Sequence, residues 1–184
     1  MNTLDNVLNY WFENPNDYQK WFMSGSKLDH TITNNFKTLL DFYRKKSSPC
    51  PKLLRDKLGL IILLDQFSRH IYRNDPKSFD MDPLAKSISY QLLESGGINL
   101  LTTEEQMFAL MPLQHSEDIQ DLEFLVDYLT KQPGNQLTQF LDYSRQHYEV
   151  IKQFGRYPKR NQVLGRKSTP QELQYLKDHP NRSF

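Results

Sequence analysis

Apolar residues recur along this chain at helical spacing. Leu4, Val7, Leu8 and Trp11 stand at i, i+3, i+4 and i+7, which predicts a first helix from Leu4 to Phe12, broken by Asn14-Pro15-Asn16. Ile32, Phe36, Leu39, Leu40 and Tyr43 form the buried stripe of a second, from about Leu28 to Arg44. Ser47-Ser48-Pro49-Cys50-Pro51 reads as a turn, with Pro51 placed at the first position of a third helix, where its missing N–H costs nothing. That helix carries Leu53, Leu54, Leu58 and the run Leu60-Ile61-Ile62-Leu63-Leu64. From Leu58 onward it is apolar on every side, the pattern of a central, fully packed helix.

The later elements announce themselves by their ends. Asp82-Pro83 supplies an N-cap and a first-turn proline for a fourth helix that stops at Gly96-Gly97. Thr102 with Glu105, or Thr103 with Gln106, makes a capping box for a fifth, ending near Pro112. Ser116 opens a sixth through Ile119, Leu122, Leu125, Val126 and Leu129, closed by Pro133-Gly134. A seventh runs from about Gln136 to Phe154 and stops at Gly155, and Thr169-Pro170-Gln171-Glu172 caps a last short helix. About eight helices joined by short connections predict an all-α fold, a multi-helix array in a single domain spanning residues 1–184. No fixed-period repeat is visible.

Composition agrees with this reading. Of the aliphatic residues 26 are Leu against 8 Ile and 4 Val, and β-branched side chains are the ones that favour strand. At 184 residues the chain buries about 70% of its unfolded surface, so it needs no disulfide or structural metal, and the lone Cys50 provides for neither. The longest apolar run, Leu58 to Leu64, is far short of a membrane span, and the N-terminus lacks the basic region of a signal peptide. The expectation is a soluble, cytoplasmic protein without a membrane partner.

A net charge of +1 conceals a strong asymmetry. Residues 1–144 hold 14 basic and 19 acidic side chains; residues 145–184 hold 9 and 3. The stretch from Lys152 to Lys167 has six cations and no carboxylate, and that from Glu104 to Asp127 has seven carboxylates and no cation. The two segments either neutralise one another in the fold or leave an anion-binding surface at Arg156, Lys159, Arg160, Arg166 and Lys167. The near-neutral whole does not argue for nucleic acid.

Candidate chemistry concentrates in three polar segments. In LLDQFSRHIYR, residues 63–73, Asp65 and Gln66 follow the apolar helix directly, and a buried carboxylate there demands a cation or several donors. Arg69 lies four residues on, and Gln66, Arg69 and Arg73 form a second row. The segment MPLQHSED, residues 111–118, puts His115 ahead of a helix start where Glu117 and Asp118 suit the macrodipole. In HYEVIKQFGRYPKRNQVLGRKSTPQEL, residues 147–173, His147 is followed by Arg156, Arg160, Asn161 and Arg166 on a loop, residues 155–168, anchored by Phe154 and Tyr157 and expected to pack on the domain.

LLDQFSRHIYR, the HSED of residues 115–118 and FGRYPKRNQVLGRKSTPQEL together resemble the signature stretches of the domain-of-unknown-function family numbered 924. VLNYWF near the N-terminus and the terminal Phe184 fit as well, so the resemblance covers nearly the whole chain. It implies an all-α fold akin to tetratricopeptide (TPR-like) superhelical packing without the repeat sequence, and it implies no activity. The positions that match are Asp65, Gln66, Phe67, Arg69, His115, Ser116, Glu117, Asp118, Arg156, Arg160, Asn161 and Arg166. The family more often has Pro at Ser68, which argues against a serine nucleophile. It often has Asn at His70 and His at Lys159, which weakens both as essential groups.

Several chemistries are excluded outright. One cysteine cannot complete a zinc deaminase behind His115-Ser116-Glu117. No H-E-x-x-H, G-x-S-x-G, Walker A or dinucleotide fingerprint is present. His115, Glu117 and His147 would make a two-histidine, one-carboxylate metal set, but nothing in the sequence fixes them on one face, and no metal or cofactor is assigned. Two readings remain. One is a pocket for a small phosphate- or carboxylate-bearing ligand, gripped by Asp65, Gln66, Arg69, Arg73, Arg156, Arg160, Asn161 and Arg166, with His115, His147 and Glu117 for acid–base catalysis. The other is a helical module for a protein partner, in which the same residues staple helices together. The first requires at least one guanidinium fork left open to a ligand; the second requires a closed, mutually satisfied network.

Overall fold

Helix accounts for nearly all the regular structure in the computed structural model, which describes residues 3–13, 21, 25–45 and 50–180 and has no strand among them. Eight helices are bounded: α1 (Leu4–Phe12), α2 (Ser26–Tyr43), α3, α4 (Asp82–Glu94), α5 (Thr103–Gln114), α6 (Ile119–Thr130), α7 (Thr138–Phe154) and α8 (Pro170–Asp178). Helix α3 is continuous but composite, with Leu54–Ile61 α-helical, Ile62–Phe67 π-helical and Ser68–Ile71 α-helical again. Asn14-Pro15-Asn16, residues 47–49 of the first predicted turn, and Phe184 lie outside the described residues. The Cα trace divides into two compact units, Met1–Pro112 and Leu113–Phe184.

In the first unit α3 is the centre, touching α1, α2 and α4. Every residue from Leu58 to Ser68 is buried, as the all-round apolar run requires. An aromatic cluster closes one side of it: Phe36 on Phe67 with ring centroids 4.8 Å apart, Trp11 on Phe67 at 5.4 Å, and Trp11 on Phe108 at 5.6 Å. Helix α1 approaches closely because residue 59 is glycine. A Cβ there would lie 2.8 Å from the backbone oxygen of Leu4 and 3.0 Å from its Cβ. Gly59→Ala is therefore expected to destabilise by about 1–3 kcal/mol despite the better helix propensity of alanine, read as a lower urea midpoint; a neutral or stabilising effect would show that α1 yields freely.

In the second unit α6 and α7 pair, and Leu122, Val150, Ile151 and Tyr157 form the core between them and the following loop. Within the loop of residues 155–168, Tyr157 is fully buried and Asn161 nearly so. Helix α7 ends as predicted at Gly155, whose φ of 68° suits a residue without a side chain. Helix α8 opens with the full Thr169–Glu172 capping box.

Four predicted helix ends differ. Pro51 stands before α3, whose N-cap is Leu53. Met81 caps α4, so Asp82 is its first residue and Pro83 its second. Helix α5 runs through Pro112 to Gln114; one missing N–H near a C-terminus does not stop a helix already formed. Asp118, not Ser116, caps α6, accepting from Gln120 N at 3.0 Å. Of the two capping boxes weighed for α5, the Thr102–Glu105 box forms. No helix among the described residues is long and apolar enough to cross a membrane.

Candidate functional site

The first polar motif sits on the π-helical stretch of α3. A π-turn carries an extra residue per turn, is less stable than the α-helix around it, and recurs at functional positions. Here it brings Asp65 and Gln66 into the interior, Asp65 with no exposed surface and Gln66 with 9%. Asp65 is met from two sides. The Gln66 side-chain amide donates to Oδ2 and also lies 3.5 Å from Met111 Sδ, and Arg69 Nη1 stands 3.3 Å from Oδ1. The Arg69 fork is directed mainly elsewhere: it grips Asp82 by both nitrogens at 3.0 Å and donates to the Asp65 carbonyl at 2.5 Å. The predicted Asp65–Arg69 pair is thus a triad closed by Asp82. Ser68 is fully buried, its Oγ 2.5 Å from the Leu64 carbonyl, and is not placed as a nucleophile.

One turn further, Arg73 and His70 share a second carboxylate. Asp29 of α2 accepts from Arg73 Nε at 2.5 Å and Nη2 at 2.7 Å, and its Oδ1 lies 2.7 Å from His70 Nδ1. Burial alone would raise the Asp29 pKa, but the hydrogen bonds from Arg73 and His70 outweigh it and hold the carboxyl below its ordinary value. Burial pushes the His70 imidazole down, only partly opposed by Asp29. Tyr72 of the same motif donates its hydroxyl to Asp41 at 2.6 Å.

The other two motifs meet within the second unit. Glu117, expected to serve the α6 N-terminus, is clamped by Arg166 through Nη1 at 2.6 Å and Nη2 at 2.9 Å and accepts from Tyr157 N at 2.8 Å. Arg166 continues the chain of contacts to Asn161 Oδ1 at 2.9 Å and the Tyr157 carbonyl at 3.1 Å. Burial would raise the Glu117 pKa, yet the hydrogen bonds from Arg166 and the Tyr157 amide, with the charge of Arg160, bring it below normal. Arg160 lies over the Tyr157 ring, 4.5 Å from its centroid. His147 is buried, with Nδ1 2.8 Å from the Tyr143 carbonyl and its ring edge-on to Tyr157 at 5.7 Å.

Arg156 leaves this group for α8. It holds Glu172 through Nε at 2.7 Å and Nη2 at 2.9 Å, and Nη2 also reaches the Lys167 carbonyl at 3.0 Å. Glu172, 2% exposed, is brought down to a pKa of about 2, first by the Arg156 hydrogen bonds, against burial, with help from the Thr169 amide and Asn161. Beside the pair runs a groove of about 460 Å³ lined by Gln153, Phe154, Arg156, Thr169, Gln171 and Glu172. Its one cation is matched by its one anion.

Within their units four of the five motif arginines are thus spent on carboxylates, Arg69 on Asp82, Arg73 on Asp29, Arg156 on Glu172 and Arg166 on Glu117, while Arg160 lies over the Tyr157 ring. Sequence reasoning missed Asp29, Asp82 and Glu172 as the partners. Asp82 and Glu172 were visible only as helix-start residues, and nothing in the sequence marked Asp29. Among the described residues no group of three or more His, Cys, Asp or Glu is placed to hold a metal ion.

These features define an all-helical protein whose signature residues lock buried and half-buried carboxylates to arginines. The chain belongs to the family described as "Bacterial protein of unknown function (DUF924)", whose model matches residues 7–180. It is similar to a solved structure, the protein of unknown function ATU0120 from Agrobacterium tumefaciens, at 26% identity and a TM-score of 0.83, over 95% of this chain and 97% of that one. No curated protein matches it.

Proposed function

We propose that this chain is a helical binding module for a protein partner, akin to TPR-like modules, and that its signature residues maintain the scaffold. The observation that supports this reading is the closure of four of the five motif arginines. Arg69, Arg73, Arg156 and Arg166 each hold a carboxylate by two nitrogens, the arrangement a structural staple requires and an anion pocket does not. The electrostatics point the same way. A general acid or base at neutral pH needs a carboxyl raised toward 7, and Glu117 is moved in the opposite direction.

The test has two arms. In a thermal-shift screen of nucleotides, sugar phosphates and di- and tricarboxylates, no compound should raise Tm, whereas a ligand at 100 times its Kd would add about 2.7 kcal/mol. In parallel, a protein retained by the tagged chain should rebind when purified, and with unchanged Kd to the charge-preserving variant Arg156→Lys if it remains folded. A small anion that raises Tm in the wild type and not in Arg156→Ala or Arg160→Ala would replace this reading with the anion pocket. Turnover of that anion, lost in His147→Ala, would make the protein an enzyme.

A further inference from the structure

One buried group has no place in these networks. Trp11 has no exposed surface, and its indole Nε1–H has no acceptor among the described residues. Leaving such a donor unpaired costs about 1–3 kcal/mol, and native interiors rarely tolerate it without water or another group from outside the chain. The neighbouring rings explain the deficit. Phe67 and Phe108 meet Trp11 edge-on and offer only carbon. The third ring is different: His70, whose centroid lies 6.2 Å from that of Trp11 at an interplanar angle of 65°.

The state of that imidazole follows from its other contacts. Nδ1 lies 2.7 Å from Asp29 Oδ1, and Asp29 is itself held by Arg73, so the imidazole proton belongs on Nδ1. With the ring neutral, as its burial favours, Nε2 is a lone-pair acceptor. All hydrogen bonds of His70 to described residues are made through Nδ1. Among the described residues, a donor without an acceptor and an acceptor without a donor therefore belong to adjacent rings. One oxygen accepting from the first and donating to the second spans up to about 5.8 Å between nitrogens, at hydrogen bonds of about 2.9 Å each.

We infer that an oxygen from outside the chain lies between Trp11 and His70, accepting from the indole Nε1–H and donating to the imidazole Nε2. The geometry selects a hydroxyl, since a carbonyl or carboxylate oxygen could satisfy the indole but would face the Nε2 lone pair. Water and the alcohol group of a small molecule share this chemistry. The site is next to the π-turn that ends at Phe67, and it is independent of the partner-binding reading above.

The experiment is NMR of the ¹⁵N-labelled full chain, which has two indole resonances to resolve. Trp21→Phe assigns them; where that variant fails to fold, NOEs from each indole proton to its neighbouring rings do so. Water-selective NOESY is recorded on protein as purified and on the same protein unfolded and refolded in clean buffer. A cross-peak from Trp11 Hε1 to water in both samples identifies resident water. A cross-peak that appears only after refolding, with a moved Hε1 shift, identifies a co-purified hydroxyl ligand. His70→Gln, which keeps a side-chain acceptor, should retain the cross-peak and His70→Leu should weaken it. Absence of a water cross-peak in both samples, with an unchanged Hε1 shift, would show that the indole N–H is dry and overturn the inference.

Discussion

Replacing Arg69 with methionine is expected to lower the unfolding free energy by about 3–5 kcal/mol, the range for stranding one member of a buried ion pair. Asp65 has no contact with solvent, and its charge is tolerated because Arg69 Nη1 and the Gln66 amide face its two oxygens. Methionine fills much of the same space but takes from that carboxylate the guanidinium beside Oδ1. It also strips Asp82 of a fork that holds both its oxygens. The reciprocal change is milder. Asp65→Asn keeps a side chain that Gln66 can still bond, and Arg69 retains Asp82, so the loss should be about 1.5–3 kcal/mol, the worth of a hydrogen bond to a charged group. Urea midpoints at fixed m-value measure both. Equal effects would mean that Asp82 contributes nothing. A loss under about 1 kcal/mol for Arg69→Met would mean that the triad behaves as an exposed pair.

That asymmetry also marks the boundary of what could be read from the chain. Periodicity revealed α3 and its all-round burial, because seven consecutive apolar residues leave no polar face. It could also say that Asp65, placed directly after them, must be compensated. It could not reveal Asp82. Compensation from 17 residues away depends on how α4 lies against α3, and the Asp-Pro pair already had a local explanation as a helix start. The π-turn was invisible for a related reason. An α-helical register puts Arg69 one turn above Asp65, and no pattern of residues marks either the extra residue of the π-turn or the turning of the fork to Asp82. In the second unit the segment that looked surplus in charge, Lys152 to Lys167, proved to be supplied with anions from outside itself, Glu117 before it and Glu172 after it. Charge counted along a sequence finds such a segment; it does not find the partners that fold back onto it.

Glu172 gives the second large effect, and one that depends on pH. Its carboxylate closes the α8 capping box through Thr169 N at 2.7 Å while accepting both Arg156 bonds, so one side chain ties the helix start to the Arg-rich loop. Its pKa falls from an ordinary 4.5 to about 2 on folding, chiefly through Arg156. A lowered folded-state pKa means the unfolded chain binds the proton more readily. The stabilisation is therefore complete above about pH 4.5 and is lost as pH falls toward 2. At about 1.4 kcal/mol per unit the ceiling is about 3 kcal/mol, reduced by solvent reaching Arg156, whose side chain is 28% exposed. Glu172→Gln should thus cost about 2–3 kcal/mol at pH 7 and progressively less in acid. Urea midpoints of the two proteins at pH 7, 4 and 2.5 should converge as the wild-type carboxyl takes up its proton. A gap that stays constant down to pH 2.5 would show that the charge on Glu172 is not what holds α8 in place.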